Sequence, residues 1–324
     1  MKYIIGAYAT APSAEGWDEN KETEYYQQLK ENKSIRGLEH PFTGQLHTHD
    51  DDWFLENIDP TWEFVFTSIP GVMGNLNKNP HFGIASTNEE GRLSAIAFYE
   101  QAQQAIVKLN SYLNKQAVSF IKIHTSPTIT ADTQSSIEAL QNSLETMQSW
   151  DWHGAKLIIE HCDAYIEGQE SQKGFMLLTD EIKAIKNVNK EHNCDIGISI
   201  NWGRSAIETR SSEGPLKHIK QAYESNLLKG IIFSGASSLE SPYGQWKDTH
   251  MPHEQAFDVP SYAKGSYLTI EEIERSLDQC QLKELSFIGG KISIRPNKAS
   301  VDERVSYINS LLSLLDKVTN KRKY

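Results

Sequence analysis

The chain has 324 residues, of which 38% are hydrophobic and 23% charged, so it can bury a sizeable core and is not typical of a disordered protein. Its formal net charge of −11 argues against a nucleic-acid partner, because proteins that bind phosphate backbones need basic surface. No run approaches the ~18 apolar residues of a membrane span, so no membrane partner is expected either.

The N-terminus and the cysteines indicate a cytoplasmic protein. The first three residues lead directly into the apolar pair Ile4-Ile5, and no secretory cleavage pattern follows. Cys162, Cys194 and Cys280 lie far apart in the sequence. They form neither a disulfide framework nor a CxxC metal motif, which is typical of a reducing compartment.

Short β-branched or aromatic runs alternate with longer helical patterns eight times along the chain. This alternation predicts parallel strands, and eight units favour a closed (β/α)8 TIM barrel over an open doubly wound sheet. No Gly-rich nucleotide-binding motif follows the first strand. We therefore predict a single TIM-barrel domain over residues 1–324. The predicted strands are 3–8, 35–39, 63–68, 118–124, 157–161, 195–201, 230–234 and 284–288.

The segments between the strands carry helix and loop signals. S/T-x-x-E capping boxes begin at Thr87, Thr269 and Ser300, and residues 89–116 have the pattern of a long helix. Three long irregular stretches, 41–52, 70–88 and 237–266, follow the second, third and seventh strands. They fall on the face where barrel active sites lie, so we interpret them as lids over a substrate.

Polar residues at the strand ends are the candidates for chemistry. Glu160 directly follows an apolar strand, where a carboxylate could act as a base or as a metal ligand, or could form a structural ion pair. His124 and Glu39 occupy equivalent positions, with a weaker case for function. His40 and His161 are next to these acidic residues in sequence, so strand alternation points them outward.

The remaining strand ends offer groups that could bind a substrate. Asn201, Ser234 and Arg204 could hold hydroxyl and acidic groups, although Arg204 could equally form a salt bridge at a helix start. Lys291 follows two glycines and could bind an anion, pair with Glu160, or form an imine with a carbonyl substrate. Rings such as Trp202 and Trp246 can stack on sugar faces, or simply pack within a loop.

A His-rich turn over residues 47–52 has the composition of a metal site. Two histidines two positions apart, His47 and His49, are followed there by three aspartates. A solvated polar turn without a metal would have the same sequence. The equivalent ambiguity holds for His250 and His253.

With these strand ends in place, the chain resembles the xylose-isomerase-like TIM barrels, which include sugar isomerases, sugar epimerases and apurinic-site endonucleases. The resemblance rests on Ile158-Ile159-Glu160-His161, on His124 and on the closing segment 287–291. More narrowly, the sequence resembles a bacterial family of about this length whose function is unknown.

The resemblance implies a metal site that this chain does not complete. It places a glutamate on strand five, an acid on strand six, a histidine on strand seven and a glutamate on strand eight. Strand five supplies Glu160, but the other three positions hold Asn201, Ser234 and Lys291. Hard divalent cations need several oxygen ligands. We therefore predict a site with no metal or other cofactor, in which Glu160 is held close to Lys291.

Three functions remain open on these observations. The first is a sugar or sugar-acid isomerase or epimerase, with Glu160 as acid/base and Lys291, His124 and Arg204 orienting a carbohydrate-like substrate. The second is a glycoside hydrolase, which needs two carboxyl groups such as Glu39 and Glu160. The third is a barrel that binds carbohydrate without catalysis. A homo-oligomer is left open, and a metal-dependent endonuclease lacks both the ligands and the basic surface.

Overall fold

A computed structural model describes residues 1–13 and 16–322, which form the closed barrel of eight parallel strands that the sequence predicts. Each strand pairs with the next along the chain, and β8 closes on β1 through the partners Ile4–Gly289 and Ile5–Gly290. The strands are β1 (Tyr3–Ile5), β2 (Ile35–Pro41), β3 (Glu63–Thr67), β4 (Val118–Ile123), β5 (Lys156–His161), β6 (Gly197–Asn201), β7 (Leu228–Phe233) and β8 (Phe287–Gly290).

Ten α-helices in the described residues connect and surround these strands. None of them is both long enough and apolar enough to cross a membrane. They are α1 (Glu19–Glu31), α2 (Asp51–Asn57), α3 (Ile69–Leu76), α4 (Glu89–Leu113), α5 (Ile137–Gln148), α6 (Leu178–His192), α7 (Trp202–Thr209), α8 (Glu213–Glu224), α9 (Ile270–Leu277) and α10 (Val301–Asn320).

Helix caps follow the sequence signals in two of three places. Ser300 and Glu303 form the reciprocal capping box of α10, and the Thr269 side chain accepts a hydrogen bond from the first turn of α9. The predicted cap at Thr87 is wrong, because α4 begins after Asn88, whose Oδ1 accepts from the Gly91 amide at 2.9 Å. Asparagine is the stronger N-cap of the two residue types.

Two predicted strands and one predicted loop need correction. The chain leaves β1 after Ile5 and forms a short 3-10 helix at Ala7–Ala9. Residues Leu282–Glu284 are also a 3-10 helix, so β8 begins later than predicted, at Phe287. The stretch 70–88 is not wholly irregular, because α3 occupies its first part. The short β8 contains Gly289, where a Cβ would lie 1.9 Å from the Ile4 carbonyl oxygen.

Candidate active site

The barrel interior has an apolar layer with polar residues above it, toward the carboxyl ends of the strands. The apolar layer is one buried cluster made of Ile4, Val65, Phe120, Ile158, Ile232 and Phe287. Side chains two positions apart on a strand share a face, so the next inward positions on four of these strands carry polar groups. Those residues are Thr67, Lys122, Glu160 and Ser234, all at most 1% exposed.

Two lysines and two glutamates form a chain of ion pairs across this polar layer. The Lys122 ammonium contacts one oxygen of Glu39 and lies 2.8 Å from Oε1 of Glu160. The Lys291 ammonium lies 2.7 Å from the other oxygen of Glu39. Gly6 leaves room for this lysine, because a Cβ there would lie 2.7 Å from Lys291 Cγ. The chain of ion pairs connects β2, β4, β5 and the end of β8.

The second oxygen of Glu160 is held by two further side chains. Arg204 donates from Nη1 at 2.6 Å, and His124 Nε2 lies 3.0 Å away. Burial lowers the pKa of His124 to about 4, so the imidazole is neutral at pH 7. Since an ionised carboxylate only accepts hydrogen bonds, the neutral ring carries its proton on Nε2.

The surrounding cations keep both glutamates ionised. Burial alone would raise the pKa of Glu160, but the charges of Lys122, Lys291 and Arg204 outweigh it and hold that pKa well below its usual value. The pKa of Glu39 is lowered in the same way, against its burial, by the two lysines. Burial would lower the pKa of Lys291, but Glu160 and Glu39 raise it instead.

Residues from the loops cover this cluster. Asp248, in the long segment between β7 and α9, accepts from Arg204 Nε at 3.0 Å, and Lys173 from the β5–α6 loop contacts the same oxygen at 2.9 Å. His250 Nδ1 lies 3.2 Å from the other Asp248 oxygen. On the opposite side, Tyr8 Oη lies 3.3 Å from Lys291 Nζ. The segment after the seventh strand thus lies over the strand ends, the placement that a lid requires.

Asn201 and Ser234 meet at the edge of the cluster. Ser234 donates to Asn201 Oδ1 at 2.9 Å, and the same oxygen accepts from the Arg204 amide at the start of α7. The Asn201 amide nitrogen is buried without a hydrogen-bond partner in the described residues, as are the hydroxyls of Thr67 and Ser199.

The two tryptophans predicted to bind substrate have other contacts. Trp202 is fully buried, and its Nε1 donates to Ser276 of α9 at 2.9 Å, so the ring packs among the helices outside the barrel. Trp246 stacks on Tyr267 with ring centroids 5.2 Å apart, and Arg210 lies over the ring at 5.4 Å. Trp202 is therefore a packing residue, which corrects the prediction, whereas stacking of the partly buried Trp246 on a substrate stays a prediction.

The predicted pairing of Glu160 with Lys291 also needs correction. Lys291 forms its ion pair with Glu39, and Glu160 forms its own with Lys122 and Arg204.

Lys122 is a site residue that the sequence patterns above do not single out. It lies inside an apolar run, and the alternation of Phe120, Lys122 and His124 on one strand face is the signal for it. The loop residues of the cover come from irregular segments, which give no such signal.

The residues at the implied metal position do not fit a divalent cation. Both oxygens of Glu160 are already bound to cationic or N–H donors, and the side-chain oxygen of Asn201 accepts two hydrogen bonds. Ser234 is neutral, and Lys291 brings a positive charge. Glu160 is the single carboxylate of this set, and its neighbours Lys122 and Arg204 add two more positive charges, whereas hard cations need several oxygens that are free to coordinate.

Most of the His-rich turn at 47–52 is exposed, but His47 is buried. His47 stacks on Phe54 with centroids 5.5 Å apart, and the Asp50 amide donates to its Nδ1 at 3.2 Å. In residues 1–13 and 16–322, neither of the two groups with metal-ligand spacing includes this turn.

Comparison with known proteins gives a family and a fold. The model of the family described as "Domain of unknown function (DUF4862)" matches residues 4–307. The "Uncharacterized protein STM3670" of Salmonella typhimurium strain LT2 is 32% identical over 320 residues, covering 98% of each chain.

Solved structures of similar shape are xylose-isomerase-like TIM barrels. The IOLI protein, solved with a zinc atom, matches with a TM-score of 0.60 at 11% identity, covering 98% of this chain and 99% of that one. A D-psicose 3-epimerase solved in the presence of D-fructose matches at 0.55 and 12%, covering 98% of both. A xylose isomerase domain protein from Alicyclobacillus acidocaldarius matches at 0.51 and 11%, covering 100% of both. At such identities the likeness shows the fold alone.

Proposed function

The chain belongs to the DUF4862 family, and on that premise we propose that it is an isomerase or epimerase of sugar acids that works without a metal. The reaction is proton abstraction from the carbon beside a carbonyl group. The proton then returns to the former carbonyl carbon in an isomerisation, or to the opposite face of the same carbon in an epimerisation. The observation that carries the proposal is the placement of Glu160 among Lys122, His124 and Arg204 beneath a long loop.

Glu160 is the acid/base in this proposal, and its neighbours handle charge. Removing a proton beside a carbonyl leaves negative charge on the carbonyl oxygen, which fixed cationic donors in a dry site stabilise. Lys291 and Lys122 supply such donors, while His124 and Arg204 orient the substrate against Glu160. No step requires a divalent cation, in keeping with the unsuitable donor set.

The groups around the cluster suit a polyhydroxylated ligand. Thr67, Ser199 and Asn201 each have a buried polar atom without a partner in the described chain. A buried donor or acceptor left without a partner costs about 1–3 kcal/mol, so binding that supplies partners is favoured. Glu39 and Ser234 add acceptors for substrate hydroxyls.

The charge balance favours an acidic sugar over a neutral one. In the barrel interior three cationic side chains, Lys122, Arg204 and Lys291, surround the two carboxylates Glu39 and Glu160, while the cover adds Lys173 with the carboxyl groups of Asp248 and Asp163. A substrate carboxylate would balance the extra positive charge. By drawing cations away from Glu160, it would also raise the pKa of Glu160 toward the value that a general base needs.

The glycoside hydrolase alternative is weaker on electrostatic grounds. Glu39 and Glu160 do lie close together, on either side of the Lys122 ammonium. Hydrolysis needs one of the two carboxyl groups to be a general acid with a raised pKa. The pKa of each is lowered here, so neither holds a proton near pH 7.

Solvent exchange tests the proposal even while the substrate is unidentified. Chelator-treated protein is incubated in D2O with a panel of aldoses, ketoses and sugar acids, and proton NMR follows loss of the signal beside each carbonyl. We expect exchange in at least one sugar acid, and its loss in Glu160→Gln. Glu63→Gln is the matched control, because Glu63 pairs with Arg36 at the start of β3 and should leave exchange unchanged.

Each other outcome would overturn the proposal in a distinct way. Binding by thermal shift without exchange would indicate a non-catalytic carbohydrate-binding barrel. Release of a free sugar from a glycoside would indicate a hydrolase. Equal exchange in wild type and Glu160→Gln would remove Glu160 as the acid/base.

A further inference from the structure

A second buried polar cluster lies on the outer side of β5, separate from the barrel interior. His161 follows Glu160 in sequence and points the opposite way, toward the helices, as strand alternation requires. Its Nε2 lies 3.0 Å from an oxygen of Glu208 on α7, and His218 Nε2 on α8 lies 3.5 Å from the other oxygen of Glu208. The rings of His161 and His218 meet edge to face with centroids 4.9 Å apart.

We propose that His161, Glu208 and His218 form a binding site for Zn²⁺ or a cation of similar ligand preference. Two imidazoles and one carboxylate, with the fourth position left for water, are a ligand set that zinc takes in proteins. One ligand atom from each residue lies within 4.8 Å of the other two. Bonds of about 2.0–2.2 Å place tetrahedral ligand atoms roughly 3.4 Å apart. The Glu208 carboxylate lies in this range of both rings, with one oxygen 3.0 Å from His161 Nε2 and the other 3.5 Å from His218 Nε2.

The outer nitrogens of both imidazoles are already oriented for metal binding. His161 Nδ1 lies 2.8 Å from Glu181 Oε2, and Glu181 is in turn held by Thr125 Oγ1 at 2.6 Å. His218 Nδ1 lies 3.0 Å from Ser205 Oγ. Metal-ligating histidines nearly always use their second nitrogen in this manner, which fixes the ring and leaves Nε2 for the metal.

Charge and access are also suitable for a divalent cation. The Nε2 proton that His161 directs at Glu208 is released to solvent when zinc binds. Glu181 and Glu208 then carry two negative charges, which balance one divalent ion. His161 and Glu181 are fully buried, but the Glu208 and His218 side chains remain 6% and 11% exposed, which gives the ion a route in from the helix side. The site joins β5, α7 and α8, so an ion there would tie these elements together.

The test is a zinc titration of the full chain after chelator treatment, followed by isothermal calorimetry. We expect saturation at one zinc ion per chain, and affinity weakened more than about ten-fold in His218→Gln. His192→Gln is the matched control, since His192 belongs to the exposed group with Glu145 and Glu191. Glu191→Gln, in the same exposed group, is the second control, and both controls should bind as wild type does.

A change outside the ligand set keeps the test decisive if His218→Gln does not fold. Ser205→Ala leaves all three ligands in place and removes only the hydroxyl that orients His218, so zinc affinity should fall about 10–100-fold. The absence of saturable binding in wild type would overturn the proposal. So would zinc binding that persists in Ser205→Ala and His218→Gln, or that disappears in either control.

Discussion

Glu160 and His161 are neighbours on one strand, both buried, and their surroundings have opposite charge. Glu160 faces the barrel interior, where Lys122, Arg204 and His124 donate to it. His161 faces the helices, where two carboxylates accept from it. We refer to these surroundings as the inner cluster and the outer cluster.

This difference shows that the charge of the contacting side chains, rather than burial, decides what each cluster can do. Burial would raise the pKa of Glu160, but cations lower it; burial would lower the pKa of His161, but Glu181 and Glu208 raise it to about 10. Cations fill the inner cluster and disfavour a metal there. Hydrogen-bond acceptors dominate the outer cluster, and they favour a metal ion there.

Removing the central cation of the inner cluster should have the largest effect on stability. In Lys122→Met, Glu39 and Glu160 lose the ammonium between them and remain buried. Lys291 still pairs with Glu39 and Arg204 with Glu160, but each glutamate loses one charged hydrogen bond that contributes about 1.5–3 kcal/mol, so urea denaturation should show a loss of about 3–6 kcal/mol. Lys156→Met is the control: its pair with Asp195 is exposed and contributes about 0–1 kcal/mol. Equal losses in the two variants would contradict the account.

A charge-removing change in the outer cluster should have a smaller effect. Glu181→Gln keeps an oxygen for Thr125 but loses the charge that faces His161. A hydrogen bond to a charged group contributes about 1.5–3 kcal/mol, so we expect a loss of about 2 kcal/mol in the free energy of unfolding. Glu191→Gln, an exposed change on the same helix, should stay within about 0.5 kcal/mol. If the free energy of unfolding were unchanged in Glu181→Gln, the charge of Glu181 would not stabilise His161.

The two clusters should also differ in the direction of their pH dependence. The folded pKa of His124, about 4, lies below its ordinary 6.5, so its stabilising contribution falls as the pH drops from 6.5 toward 4. The folded pKa of His161, about 10, lies above 6.5, so its contribution is complete below pH 6.5 and is lost as the pH rises toward 10.

Two variants separate these pH effects. Relative to wild type, His124→Gln should flatten the acid side of the curve of unfolding free energy against pH, and His161→Gln the alkaline side. Chemical denaturation at intervals between pH 4 and 10 measures both. Differences from wild type that stay constant with pH would contradict the assigned charge states.

The fold can be predicted from sequence because its signals are local. Apolar runs mark the buried strands. Among the strand starts, that of β8 departs most from its predicted position, because Leu282–Glu284 forms a 3-10 helix instead. The inner cluster is predictable in part. Five of the predicted site residues do meet there: Glu39, His124, Glu160, Arg204 and Lys291. Lys122 escapes prediction because a lysine within an apolar strand looks like an exposed position.

The outer cluster cannot be predicted from sequence for a different reason. Alternation correctly predicts that His161 lies on the outer face of its strand. Its partners Glu208 and His218, however, lie on helices some 50 residues later, and helical periodicity does not say which polar residue meets which strand. The loop residues Asp248 and Lys173 pose the same difficulty, because loop paths carry no periodic signal.

Solvent deuterium exchange into sugar acids tests the central claim about the inner cluster most directly. We expect exchange in chelator-treated wild type and in His218→Gln, and no exchange in Glu160→Gln. Exchange that appears only after a divalent metal is added, or that survives in Glu160→Gln, would contradict that claim.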